Sequence, residues 1–176
     1  MEKRLTKRAK AMIERALNYF PELRDATITI GYTRKHLGSA SVVYQRRVIA
    51  QLVIRLKVRA LTYQTIGHEL THLIQGMNAG VLENIPSGEK QCDIWTLARD
   101  RLFCDDAPTY LRMPRFVREH WSEFAEGTRQ LCIAAIEKRK THRFYIRWLE
   151  TEIKKLGGRS RARNREPQQL LLPLTF

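Results

Sequence analysis

Leu5, Met12, Ile13, Ala16, Leu17 and Phe20 recur at helical spacing, with lysine and arginine on the opposite face, and predict an amphipathic helix that Pro21 stops. Asp25 to Thr33, DATITIGYT, alternates as a half-buried strand does, and Gly38-Ser39 then punctuates a loop. A second β-rich stretch, RVIAQLVIRLKV, runs from Arg47 to Val58. The helical period returns from Arg59 to about Gln75, with Leu61, Ile66, Leu70, Leu73 and Ile74 apolar and Gly76 as its stop. A loop containing Gly80, Pro86 and Gly88 leads to a helix from Gly88 to about Phe103, with Ser87 as N-cap and Asp105-Asp106-Ala107-Pro108 as its end. Residues 117–157 are helix-compatible apart from Gly127, which predicts one broken helix or two, closed by Gly157-Gly158. The last stretch, RSRARNREPQQLLLPLTF, reads as a disordered basic linker and a short apolar end. No internal repeat interrupts this order.

The mixture of elements predicts an α+β chain, and 176 residues suffice for one domain, or one with an extension, to bury a core without disulfides. Cys92, Cys104 and Cys132 form an odd set without CxxC spacing and read as small buried apolar groups. The N-terminus lacks the apolar stretch of a secretion signal, and no segment reaches 18 consecutive apolar residues. No membrane partner is expected, and the cytoplasm is the expected location. With 32 Lys and Arg against 18 Asp and Glu, the formal charge of +14 favours polyanionic surroundings without naming a function.

The chemistry is concentrated in His68-Glu69-Leu70-Thr71-His72, an HExxH pattern on the second predicted helix. Residues four apart project from one helix face, so the two imidazoles can share one cation. Glu69, about 100° round the helix, is set beside a metal-bound water as a general base instead of on the metal. Catalytic zinc takes three protein groups and keeps one position open. Glu89, 17 residues beyond His72 and at the start of the next helix, is the best third ligand. Asp93, one turn later, can accept the outer N–H of a zinc-bound histidine. Glu83, Asp93, Asp105 and Asp106 are rival oxygen ligands, and His120 and His142 are alternative imidazoles. Tyr110, Tyr63 and His120 are the donors available to a developing oxyanion.

HELTH followed by GEKQCD resembles the gluzincin metallopeptidases, in which HExxH is completed by a glutamate from a second helix. The stretch from Tyr63 to Tyr110, with IPSGEKQCDIWTLAR and CDDAPTYL, is similar to the small members called minigluzincins. The resemblance implies a zinc-dependent metallopeptidase of minimal zincin fold: a small mixed, mainly antiparallel sheet over the active-site helix, with the glutamate helix below. It places Glu89 as ligand, Asp93 as the supporting aspartate and Tyr110 at a recurrent position. It covers residues 1–118, leaving 119–158 as a basic helical extension and 159–176 as linker and tail.

A protein or peptide is the expected substrate, pairing with the free edge of RVIAQLVIRL at the cleft rim unless that strand is internal. Residues 137–166 hold 11 Lys and Arg against 4 Asp and Glu, half the excess of the chain, and make nucleic acid a second candidate partner. Phe144, Tyr145 and Trp148 intersperse this run at a spacing that favours packing. Gln169, Leu172 and Phe176 follow the spacing of a sliding-clamp peptide, although Thr175 stands where such peptides carry an aromatic. Some minigluzincins are latent, and a tail folded into the cleft would make this chain so. The alternative function is a non-catalytic, basic nucleic-acid-binding or adaptor protein with a structural histidine helix.

Overall fold

Thr6 opens the first helix: its Oγ1 accepts from the Ala9 amide at 3.2 Å, one of the donors that a helix start leaves without a partner. This computed structural model describes residues 5–46, 48–77 and 85–163. Helix α1 (Lys7–Leu17) buries Ala9, Met12, Ile13 and Ala16. Three strands follow, β1 (Ile28–Tyr32), β2 (Gly38–Gln45) and β3 (Val48–Leu56), in the order β1-β3-β2. β3 is central, parallel to β1 from Ile28↔Leu52 to Tyr32↔Leu56 and antiparallel to β2 from Gly38↔Leu56 to Gln45↔Val48. Its Leu52, Ile54 and Leu56 point into the core.

The sheet corrects two expectations. Gly38-Ser39 opens a strand instead of a loop, and RVIAQLVIRL is the internal strand, leaving β1 and β2 as the edges, with β2 the one beside the cleft. Gly38 is small for a reason other than a turn: a Cβ there would stand 2.4 Å from Glu69 Oε1.

Helix α2 (Tyr63–Met77) is capped twice. Thr62 Oγ1 accepts from the Thr65 amide at 3.1 Å, and the distant Asp105 carboxylate accepts from the Tyr63 and Gln64 amides at 2.7 and 2.9 Å. Helix α3 (Glu89–Arg99) has no side-chain cap; its N-cap is Gly88, at φ +112°, a conformation that favours glycine, and not Ser87. It ends earlier than the sequence suggested, at Asp100, whose carboxylate starts a separate 3-10 turn over Arg101–Cys104.

Helices α4 (Arg115–Glu119), α5 (Trp121–Arg139) and α6 (Tyr145–Arg163) complete the described chain. The long helical region breaks at His120 and at residues 140–144, not at Gly127, which lies inside α5 with Leu156 beside it. Gly157-Gly158 does not close it either, because α6 continues through both. No described helix is long and apolar enough to cross a membrane.

Two apolar cores result. Helix α1, the inner sheet face, α2 and Phe103 form one; Ile94 and Leu97 of α3, with Leu111, Val117, Phe124, Leu149 and Ile153, form the other. Helix α3 lies between them, apolar toward α5 and α6 and polar toward α2. Gly67 lets the two helices meet, since a Cβ there would be 2.6 Å from the Phe103 ring and 2.7 Å from Thr96.

Adjacent glycines in α6 are predicted to respond oppositely to alanine. A Cβ at Gly157 would come within 2.8 Å of Val117, so Gly157→Ala destabilises by about 1 kcal/mol net of its better helix propensity. Gly158 faces open space, so Gly158→Ala stabilises by up to about 1 kcal/mol. Urea unfolding of both variants checks the signs; a destabilising Gly158→Ala would contradict a helix running through that position.

Candidate metal centre

The seam between α2 and α3 is built from side chains at helical spacing on both partners. Gln64, His68, Thr71 and Gln75 of α2 face Glu89, Cys92, Asp93 and Thr96 of α3. Near its middle the Thr71 and Thr96 hydroxyls lie 3.0 Å apart, and Thr71 donates to the Gly67 carbonyl at 2.8 Å. Asp93, fully buried, is the hub. Its Oδ1 accepts from His68 Nδ1 at 2.9 Å and from the Gln64 side-chain Nε2 at 3.2 Å. Its Oδ2 accepts from the Tyr110 and Leu111 amides at 2.6 and 2.8 Å.

These contacts fix the histidine tautomers. His68 Nδ1–H donates to Asp93, so Nε2 presents its lone pair. Gln75 donates to the Gly88 carbonyl at 3.3 Å and to the Pro86 carbonyl, which turns its Oε1 toward His72 Nδ1 at 3.0 Å. His72 is therefore held in the same tautomer. Both Nε2 atoms converge on Glu89 Oε2, at 2.9 Å from His68 and 3.0 Å from His72. Two lone pairs and a carboxylate oxygen repel one another unless a proton or a metal cation lies among them.

The charges follow from this geometry. Burial pushes the His68 ring toward its neutral form, but hydrogen bonding and charge from Asp93, with help from Glu89 and Glu69, outweigh it and raise the pKa. Burial also works against the Glu89 carboxylate, yet the His72 and His68 contacts hold its pKa below the ordinary value. Glu69 has no such support. Desolvation drives its carboxyl up to about 7 despite the nearby His68, and Glu89 adds repulsion. Its Oε2 is buried without a hydrogen-bond partner among the described residues.

These residues line a cleft of about 550 Å³, whose other walls come from Lys35 to Ala40 and from Thr109 and Tyr110. Of the three oxyanion donors the sequence offered, Tyr110 alone lines it. It is 47% exposed, and its ring stacks on His68 with centroids 5.5 Å apart. Tyr63 packs against the first core, and His120 bonds the Phe116 carbonyl away from the cleft. Asp105 caps α2, Asp106 bonds the Ala107 amide, and His142 lies near Phe144 at the α5–α6 corner. Glu83 lies outside the described residues.

Sequence reasoning missed Cys92, Gln75 and the cleft wall made by Lys35 and His36. Cys92 Sγ and one nitrogen from each of His68 and His72 lie within 4.8 Å of one another, so a His/His/Cys set could also hold a metal. Its thiol instead donates to Gln75 Oε1 at 3.1 Å, and burial together with Glu89, Asp93 and Glu69 pushes its pKa strongly upward. That favours a protonated Cys92 beside the centre. The signal for Gln75 was available: it follows His72 by three residues, where a helical neighbour meets the ring.

The helical extension reaches the centre's edge. The Tyr145 hydroxyl donates to Gln91, and Lys90 pairs with Glu150, which also accepts from the Arg112 amide at 3.3 Å. Both bonds hold residues immediately beyond Glu89.

A carboxyl whose folded pKa is raised contributes most to stability below its unfolded value and loses that contribution as pH rises through the folded one. For metal-free protein the window is about pH 4.5 to 7, and the cost at higher pH is roughly 3 kcal/mol. Glu69→Gln should therefore stabilise metal-free protein by about this amount at pH 8 and little at pH 4. Denaturant titrations in a chelator at both pH values measure it; an equal effect at both would mean Glu69 is not held near neutrality by burial.

No family model, curated protein or solved structure matches the chain, so the chemistry of the centre has to be read from its own residues.

Proposed function

We propose that the protein is a zinc-dependent peptidase in which His68, His72 and Glu89 hold the cation and Glu69 is the general base. The observation that carries this reading is the meeting of both Nε2 atoms on Glu89 Oε2, with each Nδ1 already engaged by a different acceptor. Two imidazoles and a carboxylate on one side of an open cleft suit zinc with a remaining coordination position. A buried carboxylate behind one histidine and an amide oxygen behind the other would orient both rings as metal ligands.

When bound, zinc supplies acidity to a water and polarises the carbonyl under attack. The chain's residues do the rest. Glu69, with a carboxyl near neutrality before the cation is added, accepts the water proton and delivers it to the leaving amine. Tyr110 offers its hydroxyl to the oxyanion. The substrate backbone pairs with the outer edge of β2, where Gly38, Ser39 and Ala40 line the cleft.

A mixed sheet over α2 with α3 beneath suits the minimal zincin fold, and HELTH with GEKQCD suits a minigluzincin-like enzyme. Three free cysteines suit a reducing cytoplasm. One observation favours the second reading, a non-catalytic basic adaptor. Glu89 and the two rings form a closed hydrogen-bonded group that a proton alone can complete.

Metal content separates the two. Wild-type protein is expected to retain one zinc per chain after dialysis, and His72→Ala to lose it. Glu69→Ala should keep zinc and lose cleavage of unfolded casein by at least about 100-fold. A wild type that takes up no zinc sinks the metal reading, and a Glu69→Ala protein as active as wild type sinks the assigned base.

A further inference from the structure

The corner between α5 and α6 does not belong to the cleft and carries a surface of its own. Between Glu137 and Glu150 the chain holds Lys138, Arg139, Lys140, Arg143 and Arg147 and no acid. The flanking acids are occupied, Glu137 by Lys140 at 2.8 Å and Glu150 by Lys90. No carboxylate among the described residues lies within ion-pair distance of Arg143 or Arg147.

The aromatic residues interspersed here have separate fates. Tyr145 is buried and bonded to Gln91, and Trp148 packs on the second core beneath Lys138. Phe144 is 55% exposed, and the Arg143 and Arg147 guanidiniums each lie 5.6 Å from its ring centroid. An exposed aromatic costs solubility and gains nothing from the core. Here it is held by two cations free to bind anions.

We infer that this corner binds single-stranded nucleic acid, with a base stacked on Phe144 and phosphates on Arg143 and Arg147. An exposed ring beside two guanidiniums that no described carboxylate pairs fits an alternation of flat bases and phosphates, which is how single strands are bound without sequence preference. Duplex would use the cations and leave the ring idle. An anionic membrane is the poorer fit, because Tyr145, Leu149 and Ile153, the apolar side of α6, are buried in the second core and leave one ring to insert.

The test is fluorescence anisotropy of the full chain with labelled oligothymidylate of about twenty nucleotides, in chelator, between about 50 and 300 mM salt. Phe144→Ala is expected to weaken binding about tenfold or more with the salt slope unchanged, and Phe144→Trp to retain it. The double variant Arg143→Ala/Arg147→Ala should lower the salt slope by about 1.4, the share of two phosphates on a single strand. All three positions are exposed, so thermal unfolding by circular dichroism should match wild type. Phe144→Ala binding as tightly as wild type would overturn the inference, as would no binding by wild type at the lowest salt. So would a Phe144 dependence seen only with phosphatidylserine vesicles.

Discussion

The structure turns on one buried carboxylate. Asp93 has no exposure to solvent and accepts from four donors on two segments: the side chains of Gln64 and His68 on α2, and the Tyr110 and Leu111 backbone amides beyond α3. A charge removed from water is tolerated only when its oxygens are satisfied by well-aligned donors, and losing those donors costs several kcal/mol. That penalty makes the seam specific. If α3 slid by one residue against α2, Asp93 would lose its partners, whereas an apolar seam would exchange one leucine contact for another. The register that satisfies Asp93 is also the one that brings Glu89, one turn earlier, to the two rings.

Helix α3 can carry this polar face because its other face is anchored elsewhere. Ile94 and Leu97 are buried with α5 and α6, so the apolar free energy holding the helix comes from the second core, and the seam is released from having to be hydrophobic. The Tyr145–Gln91 and Lys90–Glu150 contacts extend that anchorage to the first turn, where Gly88 provides no side-chain cap. Residues 119–158 are thus structurally continuous with the glutamate helix, although their basic outer surface is a different chemical environment from the cleft.

How much of this was legible depended on whether a residue's reason for being there was local. The HExxH face, the helix before Pro21 and the return of helical period before His68 depend on spacing along one element, and all three stand. Glu89 and Asp93 were singled out because ligand chemistry demands an oxygen donor and one turn of helix fixes the second position, and the structure sets both beside His68. Two of the three glycine misreadings share a cause. Gly38, Gly127 and Gly157 were taken for punctuation, yet Gly38 and Gly157 lie where a neighbouring side chain presses close and Gly127 has Leu156 in ordinary contact, inside a strand and two helices. Close packing by a distant element leaves the same residue in the sequence as a turn does. Cys92 was invisible as part of the centre for a related reason, since its neighbours come from another helix. Gln169, Leu172 and Phe176 lie outside the described residues, and with them the tail's relation to the cleft and to a sliding clamp.

The chain combines a strongly basic exterior with a centre built on carboxylates, and the two do not cancel. At physiological ionic strength exposed charges are screened beyond about 8 Å, while buried groups feel their neighbours with much less screening. At His68 the nearby Asp93, Glu89 and Glu69 therefore outweigh burial and favour positive charge, whatever the sign of the surface. The α5–α6 corner, with its flanking acids already paired, presents the opposite sign to solvent. Local charge of opposite sign can thus coexist at the interior seam and the outer corner of one small protein, because each is governed by charges within a few ångströms, not by the net charge of the whole.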